Sequence, residues 1–354
     1  METFPLLMTV RPPLAMLRSV LVWVSCLALL GGTRSIAQDG PAPAAMPQTC
    51  YLFAYFTEPN GKDGLRLAWS RDGYAWTPLN GGRGYLKPSV GVDKLMRDPC
   101  ILRGPDGIYR MVWTVSWGHH GDFSVGYASS PDLIHWSDQE AIPVMASEPA
   151  AANCWAPEIN YDAENGEYLL YWSSTIPGRF IETDGTAEGT WNHRFYCTTT
   201  KDFKTWTPTR VLYDPGFCCI DATIMPSPAA DGRFLMFFKN ETLKPKAAKN
   251  LWMATAEHVG GPYGHLVGPL TGPASPLRSD WAEGPTSIRI GDDYIVYFDC
   301  YRQHRYGAIR SKDLKTWEDI SDKVSFPAGA RHGTVLEVPG EVVAKLLAAS
   351  TTAP

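Results

Sequence analysis

"TTKDFKTWTP", residues 199–208, sets Asp202 ahead of Trp206 with three residues between them. The same figure stands in "WSRDGYAWTP" (69–78; Asp72, Trp76), "SSPDLIHWSD" (129–138; Asp132, Trp136) and "RSKDLKTWED" (310–319; Asp313, Trp317). An aspartate side chain accepts hydrogen bonds from backbone groups just ahead of it and so closes a tight turn. A Trp behind it suits the opening of a strand that packs over its neighbour. Each copy follows a strand-like run such as "LRLAWS" or "YGAIRS", so the figure is a repeat of strand, turn and strand.

Two further series keep step with it. "YLFAYF", "IYRMVWTV", "EYLLYWSS", "RFLMFFKN" and "DYIVYFDC" are aromatic and β-branched, as buried strands are. Ahead of them run "DPCILRG", "APEINYD", "DATIMPS", "EGPTSIRIG" and, near the end, "HGTVLEV". Five units of roughly 50 to 70 residues with about four short strands each predict an all-β fold, a five-bladed β-propeller with four-stranded blades. The chain supplies the second to fourth strands of one blade first and its first strand, "RHGTVLEVP", last. The expectation is a ring closed by strands from both termini. Only "GEVVAKLLAAS" has helical spacing.

Of 354 residues 44% are hydrophobic and 19% charged, enough for a full core. The net charge of −5 and the lack of any Lys/Arg block argue against a nucleic-acid partner. "SVLVWVSCLALLGG" after Arg11 and Arg18, with "SIA" before Gln38, has the pattern of a secretory signal peptide and is too short to span a bilayer comfortably. The expected division is therefore a signal at 1–37, a linker at 38–48, the propeller at 49–345 and a tail at 346–354, in a secreted or periplasmic protein without membrane attachment after cleavage. Seven cysteines remain after the signal, an odd number without Cys-x-x-Cys spacing, and are expected to be mostly buried free thiols.

In a propeller the first strand of each blade lines the central channel, and its first residues face one mouth. Asp98, Asp221, Glu283 and His332 stand at that point in four units, with Glu158 two residues past it in the other. Turn preference would account for one or two acids there, whereas three at one phase of a repeat point to a shared cavity. Converging carboxylates suit glycoside hydrolysis, in which one acid protonates the leaving oxygen and another activates water or attacks carbon. Crowding also raises the pKa of at least one of them. No Gly-x-Ser-x-Gly, His-Glu-x-x-His, phosphate loop or Gly-x-Gly-x-x-Gly opening a helix competes with this reading.

The ordered set "RDPCIL", "WAPEINYD", "IDATIM", "WAEGPTSI" and "RHGTVL" resembles glycoside hydrolase family 43, inverting arabinofuranosidases, xylosidases and arabinanases on a five-bladed propeller, across residues 49 to 340. The resemblance implies Asp98 as general base, Asp221 as the carboxylate that tunes and orients the acid, and Glu283 as general acid. Base and acid would then stand roughly 6.5 to 9.5 Å apart. "WAPE" departs from the aspartate that relatives often carry, leaving Glu158 either a binder of substrate hydroxyls or a structural residue. His332 would be a structural histidine or lie near a channel ion; no cofactor is required, Ca²⁺ in the channel is the open option, and no metal ligand is assigned. Trp117, Trp155 and Trp281 are candidates for stacking on sugar faces, Arg97 and Arg305 for cations near the site, and His119 and His120 for the rim.

The insertion "IPGRFIETDGTAEGTWNH" would wall off one end of the channel and favour exo action. The expected substrate is a terminal arabinofuranosyl or xylosyl residue of a plant-type polysaccharide, with galactofuranosyl as a further option. Two alternatives remain at this stage. One is a retaining fructan-hydrolase-like enzyme using Glu58, the "RDP" aspartate and Glu158; the other is a propeller that binds glycans without catalysis.

Overall fold

The computed structural model describes residues 46–118, 122–227 and 233–352. The expected signal, most of the linker, and His119 and His120 lie outside the described residues. The chain opens with β1 (Thr49–Phe56), β2 (Arg66–Ser70) and β3 (Thr77–Pro78). Blade II follows as β4 (Arg97–Arg103), β5 (Tyr109–Thr114), β6 (Val125–Ser130) and β7 (Glu140–Ile142), and blade III as β8 (Trp155–Asp162), β9 (Glu167–Ser174), β10 (Arg194–Thr200) and β11 (Arg210–Tyr213). Blade IV is β12 (Cys219–Pro226), β13 (Phe234–Asn240), β14 (Asn250–Ala256) and β15 (Gly264–Thr271); blade V is β16 (Glu283–Ile290), β17 (Asp293–Cys300), β18 (Arg305–Ser311) and β19 (Glu318–Asp319). The last strand, β20 (Arg331–Pro339), pairs antiparallel with β1 and completes blade I, so five four-stranded sheets form the ring as expected.

The second strand of each blade is covered on both sides by neighbouring blades. It therefore reads as a continuous apolar run, and β1, β9, β13 and β17 are buried at nearly every position. Five apolar clusters fill the five interfaces between blades. Leu52 and Met111 belong to one, Val112 and Leu170 to the next, then Tyr171 with Phe238, Phe237 with Val296, and Phe53 with Tyr297. No single centre holds the fold; each blade is stabilised by both neighbours.

The repeated turn has more content than its aspartate. Oδ1 of Asp202 accepts the amides of Lys204 and Thr205 at 2.9 and 2.8 Å. The hydroxyl of Thr200 accepts the amide of Phe203 at 2.9 Å. Ser70, Ser130 and Ser311 do the same in the other three copies. The residue after the aspartate is left-handed in all four: Gly73 (φ 82°), Leu133 (66°), Phe203 (58°) and Leu314 (60°). Trp76 and Trp317 directly precede β3 and β19, whereas Trp136 and Trp206 stand a few residues before β7 and β11. The described blade IV connects β14 to β15 without this turn.

The division at residue 345 needs correction. Helix α1 (Gly340–Thr352) runs straight across it, and Val343 and Leu346 are fully buried in the cluster between blades I and II. The amphipathic spacing of "GEVVAKLLAAS" has an apolar face to bury, so the helix belongs to the propeller body. The seven cysteines of the described residues are all buried free thiols.

Candidate active site

Each inner strand of blades II to V carries the same irregularity near its start, two residues opposite one. The ladder passes from Arg97 to Cys100 while its partner passes from Thr114 to Val112; Trp155 to Glu158, Ile220 to Thr223 and Glu283 to Thr286 repeat this. The first extra residue is left-handed in each: Asp98 (φ 52°), Ala156 (47°), Asp221 (59°) and Gly284 (53°). Such a bulge re-aims a side chain and locally ends the pairing, and here it turns Asp98 and Asp221 into the channel mouth.

This register corrects the phase expected for Glu283 and keeps Glu158 two residues past the matching point. Glu283 occupies the position before the bulge, equivalent to Arg97 and Trp155. The bulge residue of its own strand is Gly284, whose Cβ, if present, would meet His332 Cγ at 2.4 Å. Glu158 lies beyond the bulge of β8, and the bulge site there is Ala156. A pattern of acids counted along the chain cannot show a one-residue shift that the backbone absorbs.

The three carboxylates nonetheless line one cavity of about 190 Å³, with Arg97, Trp117, Trp155 and His332 also on its wall. His332 Nδ1 lies 3.3 Å from Asp98 Oδ1 and 3.9 Å from Asp221 Oδ1. The hydroxyl of Thr114 donates to Asp98 Oδ2 at 2.8 Å and accepts the Ala156 amide at 2.8 Å, tying the carboxylate to the next blade. The Gly284 amide donates to Asp221 Oδ2 at 3.0 Å, which sets Asp221 beside the backbone of Glu283. Lys239 Nζ reaches Glu283 Oε2 at 2.9 Å.

The carboxyls differ in ionisation. Burial acts upward on Asp98, but the hydrogen bond and charge of His332, with Arg97 and Thr114, outweigh it and bring the group below its ordinary value. Burial pushes Asp221 up to about 6, the charges of Glu283 and Asp98 adding to it while His332 and Lys239 oppose. Burial alone would depress His332, yet Asp221 and Asp98 carry it up to about 9, so it is an imidazolium at neutral pH. Ca²⁺ takes oxygen ligands, and the side chain of His332 offers none. Among the described residues no group of three or more His, Cys, Asp or Glu is arranged to hold a metal.

A family model described as "Probable glycosyl hydrolase domain" and related to glycoside hydrolase family 43 matches residues 47–342. The chain belongs to the family 43-related glycosyl hydrolases. An alpha-L-arabinofuranosidase of Bifidobacterium longum subsp. longum is 25% identical over 328 residues, covering 78% of this chain and 29% of that protein. The chain thus spans less than a third of the curated relative it matches. Among solved structures, an alpha-L-arabinofuranosidase from Lactobacillus brevis superposes with a TM-score of 0.50 at 17% identity, over 64% of this chain and 72% of that one. A thermostable family-43 glycoside hydrolase gives 0.50 at 16%, over 69% and 80%. Both are likenesses of fold.

In this family 43-related chain, Trp155 stacks on Trp117 at 5.0 Å between centroids, and the tilted ring of Trp191 lies 4.6 Å from Trp155. Arg97 is held between the rings of Phe56 and Trp117, 4.6 and 4.7 Å from their centroids. Three expected residues stand elsewhere. Trp281 does not line the cavity, and the guanidinium of Arg302 covers its face at 3.3 Å. Arg305 points away into an ion pair with Asp280 at 3.0 Å. Glu158 is buried behind the wall, accepting the Tyr171 hydroxyl at 2.8 Å. Its place past the bulge keeps it out of the mouth.

The sequence analysis missed Thr114, Glu188, Trp191, His193, Lys239 and Glu241, all on the cavity wall. Glu188 and Trp191 come from the insertion after β9, which walls the channel as expected. Lys239 and Glu241 had a signal in "FFKNE", charges ending an otherwise apolar buried strand.

Proposed function

We propose that this protein is an inverting, exo-acting glycoside hydrolase that removes terminal arabinofuranosyl or xylosyl residues. The observation that carries this is the meeting of Asp98, Asp221 and Glu283 in one cavity of about 190 Å³. That is below the roughly 300–1,000 Å³ of pockets for drug-sized ligands and suits one sugar ring. Asp98, held ionised, accepts a proton from water as the water oxygen bonds to the anomeric carbon. Glu283 gives its proton to the glycosidic oxygen as that bond breaks. Asp221, beside the Glu283 backbone, places a carboxyl of raised pKa next to the acid and supports its protonated form. Trp117 and Trp155 stack on each other in the cavity wall and supply an apolar edge to the sugar, and Arg97 a donor to its hydroxyls.

The fructan-hydrolase-like alternative loses support from the same geometry. Glu58 forms an ion pair with Arg97 at 3.2 Å and does not line the cavity, nor does Glu158. The test is a panel of chromogenic arabinosides, xylosides and galactofuranosides, with proton NMR of the first-formed anomer. Inversion agrees with the proposal and retention overturns it; silence across the panel assigns the cavity to glycan binding. Asp98→Asn and Glu283→Gln should each lower kcat by about 10²–10⁴ while the variants stay folded.

A further inference from the structure

Two cations touch the carboxylate of Glu283. Lys239 Nζ stands 2.9 Å from Oε2, and Arg331 Nη2 stands 3.9 Å from Oε1. Acting alone they would hold the group ionised, and an ionised carboxylate has no proton to give a leaving oxygen. Each cation, however, has another buried carboxylate on its far side. Glu241 Oε2 lies 2.6 Å from Lys239 Nζ, and Asp299 Oδ2 lies 3.3 Å from Arg331 Nε. Asp299 is also the residue directly opposite Glu283 in the β16–β17 ladder, with its side chain only 1% exposed.

The other groups around Glu283 do not explain these two acids. Asp221, itself beside His332, faces it from β12, and Tyr301 lies against Lys239, its ring centroid 4.7 Å from Nζ. Lys249 closes on the second oxygen of Glu241. Asp299 and Glu241 therefore stand one step behind the acid, each in contact with a cation that touches it.

We propose, on the assignment of Glu283 as the general acid, that Asp299 and Glu241 are positioning residues: each neutralises one cation against Glu283, so that the acid keeps its proton in the working pH range. Glu241 works through Lys239. Burial acts upward on it, but Lys239 and Lys249 hold it below its ordinary value, so it stays a counter-charge. Asp299 works through Arg331. Its buried carboxylate stands 3.3 Å from Nε of the same guanidinium whose Nη2 faces Glu283. Removing the Asp299 charge leaves Glu283 as the lone carboxylate for Arg331, and its proton is lost at lower pH.

The test is a carboxyl-carbon NMR titration of protein labelled with ¹³C-glutamate, the Glu283 signal assigned by its absence in Glu283→Gln. Asp299→Asn and Glu241→Gln should each lower the Glu283 midpoint by roughly one unit. The alkaline limb of kcat/KM should move down with it on glycosides of poorly acidic alcohols, with a smaller loss on aryl glycosides of strongly acidic phenols. Asp299→Asn combined with Arg331→Gln should return the midpoint towards the parent value, which a purely structural role would not do. An unmoved midpoint in the folded variants overturns the proposal. If Asp299→Asn does not fold, Arg331→Gln alone must raise the midpoint, and a failure to do so overturns it equally. A parent protein that shows the midpoint shifts but hydrolyses no glycoside instead removes the catalytic assignment and leaves the charge pairing in place.

Discussion

Glu158 and Gly284 show how much one position in a strand decides. Burial, opposed by the hydroxyls of Tyr171 and Thr223, pushes Glu158 up to about 7. A carboxyl whose folded value exceeds its unfolded value contributes stability that is complete below about pH 4.5 and is lost as pH rises through about 7. The loss is on the order of 3 kcal/mol. Glu158→Gln keeps an acceptor for Tyr171 without the charge. Its melting temperature should match the parent below pH 4.5 and exceed it above pH 7, with glycosidase activity retained; lost activity would return Glu158 to the substrate. Gly284→Ala should act in the opposite way. The added methyl meets the His332 ring at a left-handed position, so the brace between Asp98 and Asp221 must shift. A fall in kcat of tenfold or more, in a protein of unchanged fold by circular dichroism, is the expected result.

At the scale of elements, the turn is the unit that repeats, and its energetics are local. Asp202 receives two backbone amides on one oxygen, so Asp202→Ala should lower the urea unfolding midpoint without any effect on kcat/KM. The same experiment at Asp72, Asp132 or Asp313 should give similar values, because all four turns share the Ser/Thr hydroxyl and the left-handed residue. These elements were legible because an Asx turn and an aromatic strand are written in neighbouring residues. The bulges were not. They depend on which residue of the next strand lies opposite, and the spacing of acids along the chain gives no sign that Glu283 stands one residue before the aligned position. Arg305 and Trp281 were misplaced for a related reason: adjacency to a motif says nothing of whether Asp280 or Arg302 will take the side chain first.

The whole molecule was legible in its count of blades and in its closure, since both follow from the order of repeated strands. The cavity wall was legible only in part, because Lys239, Glu241 and His193 reach it from strands and loops of different blades. Ring closure carries its own prediction. Removing residues 331–352 deletes β20 and α1, exposes β1 along its full ladder, and uncovers the clusters beside blade I. That chain should lose cooperative thermal unfolding altogether and bind a hydrophobic dye; a sharp transition near the parent temperature would contradict the dependence of every blade on both neighbours.

The place of His332 on that final strand has a temporal meaning. A polypeptide made from its amino end presents Asp98, Asp221 and Glu283 well before the imidazolium that braces two of them. Four blades can assemble while the ribosome still holds the remainder, yet the catalytic pocket cannot mature until the latch arrives. A chain released before β20 is made lacks the imidazole that bridges Asp98 and Asp221.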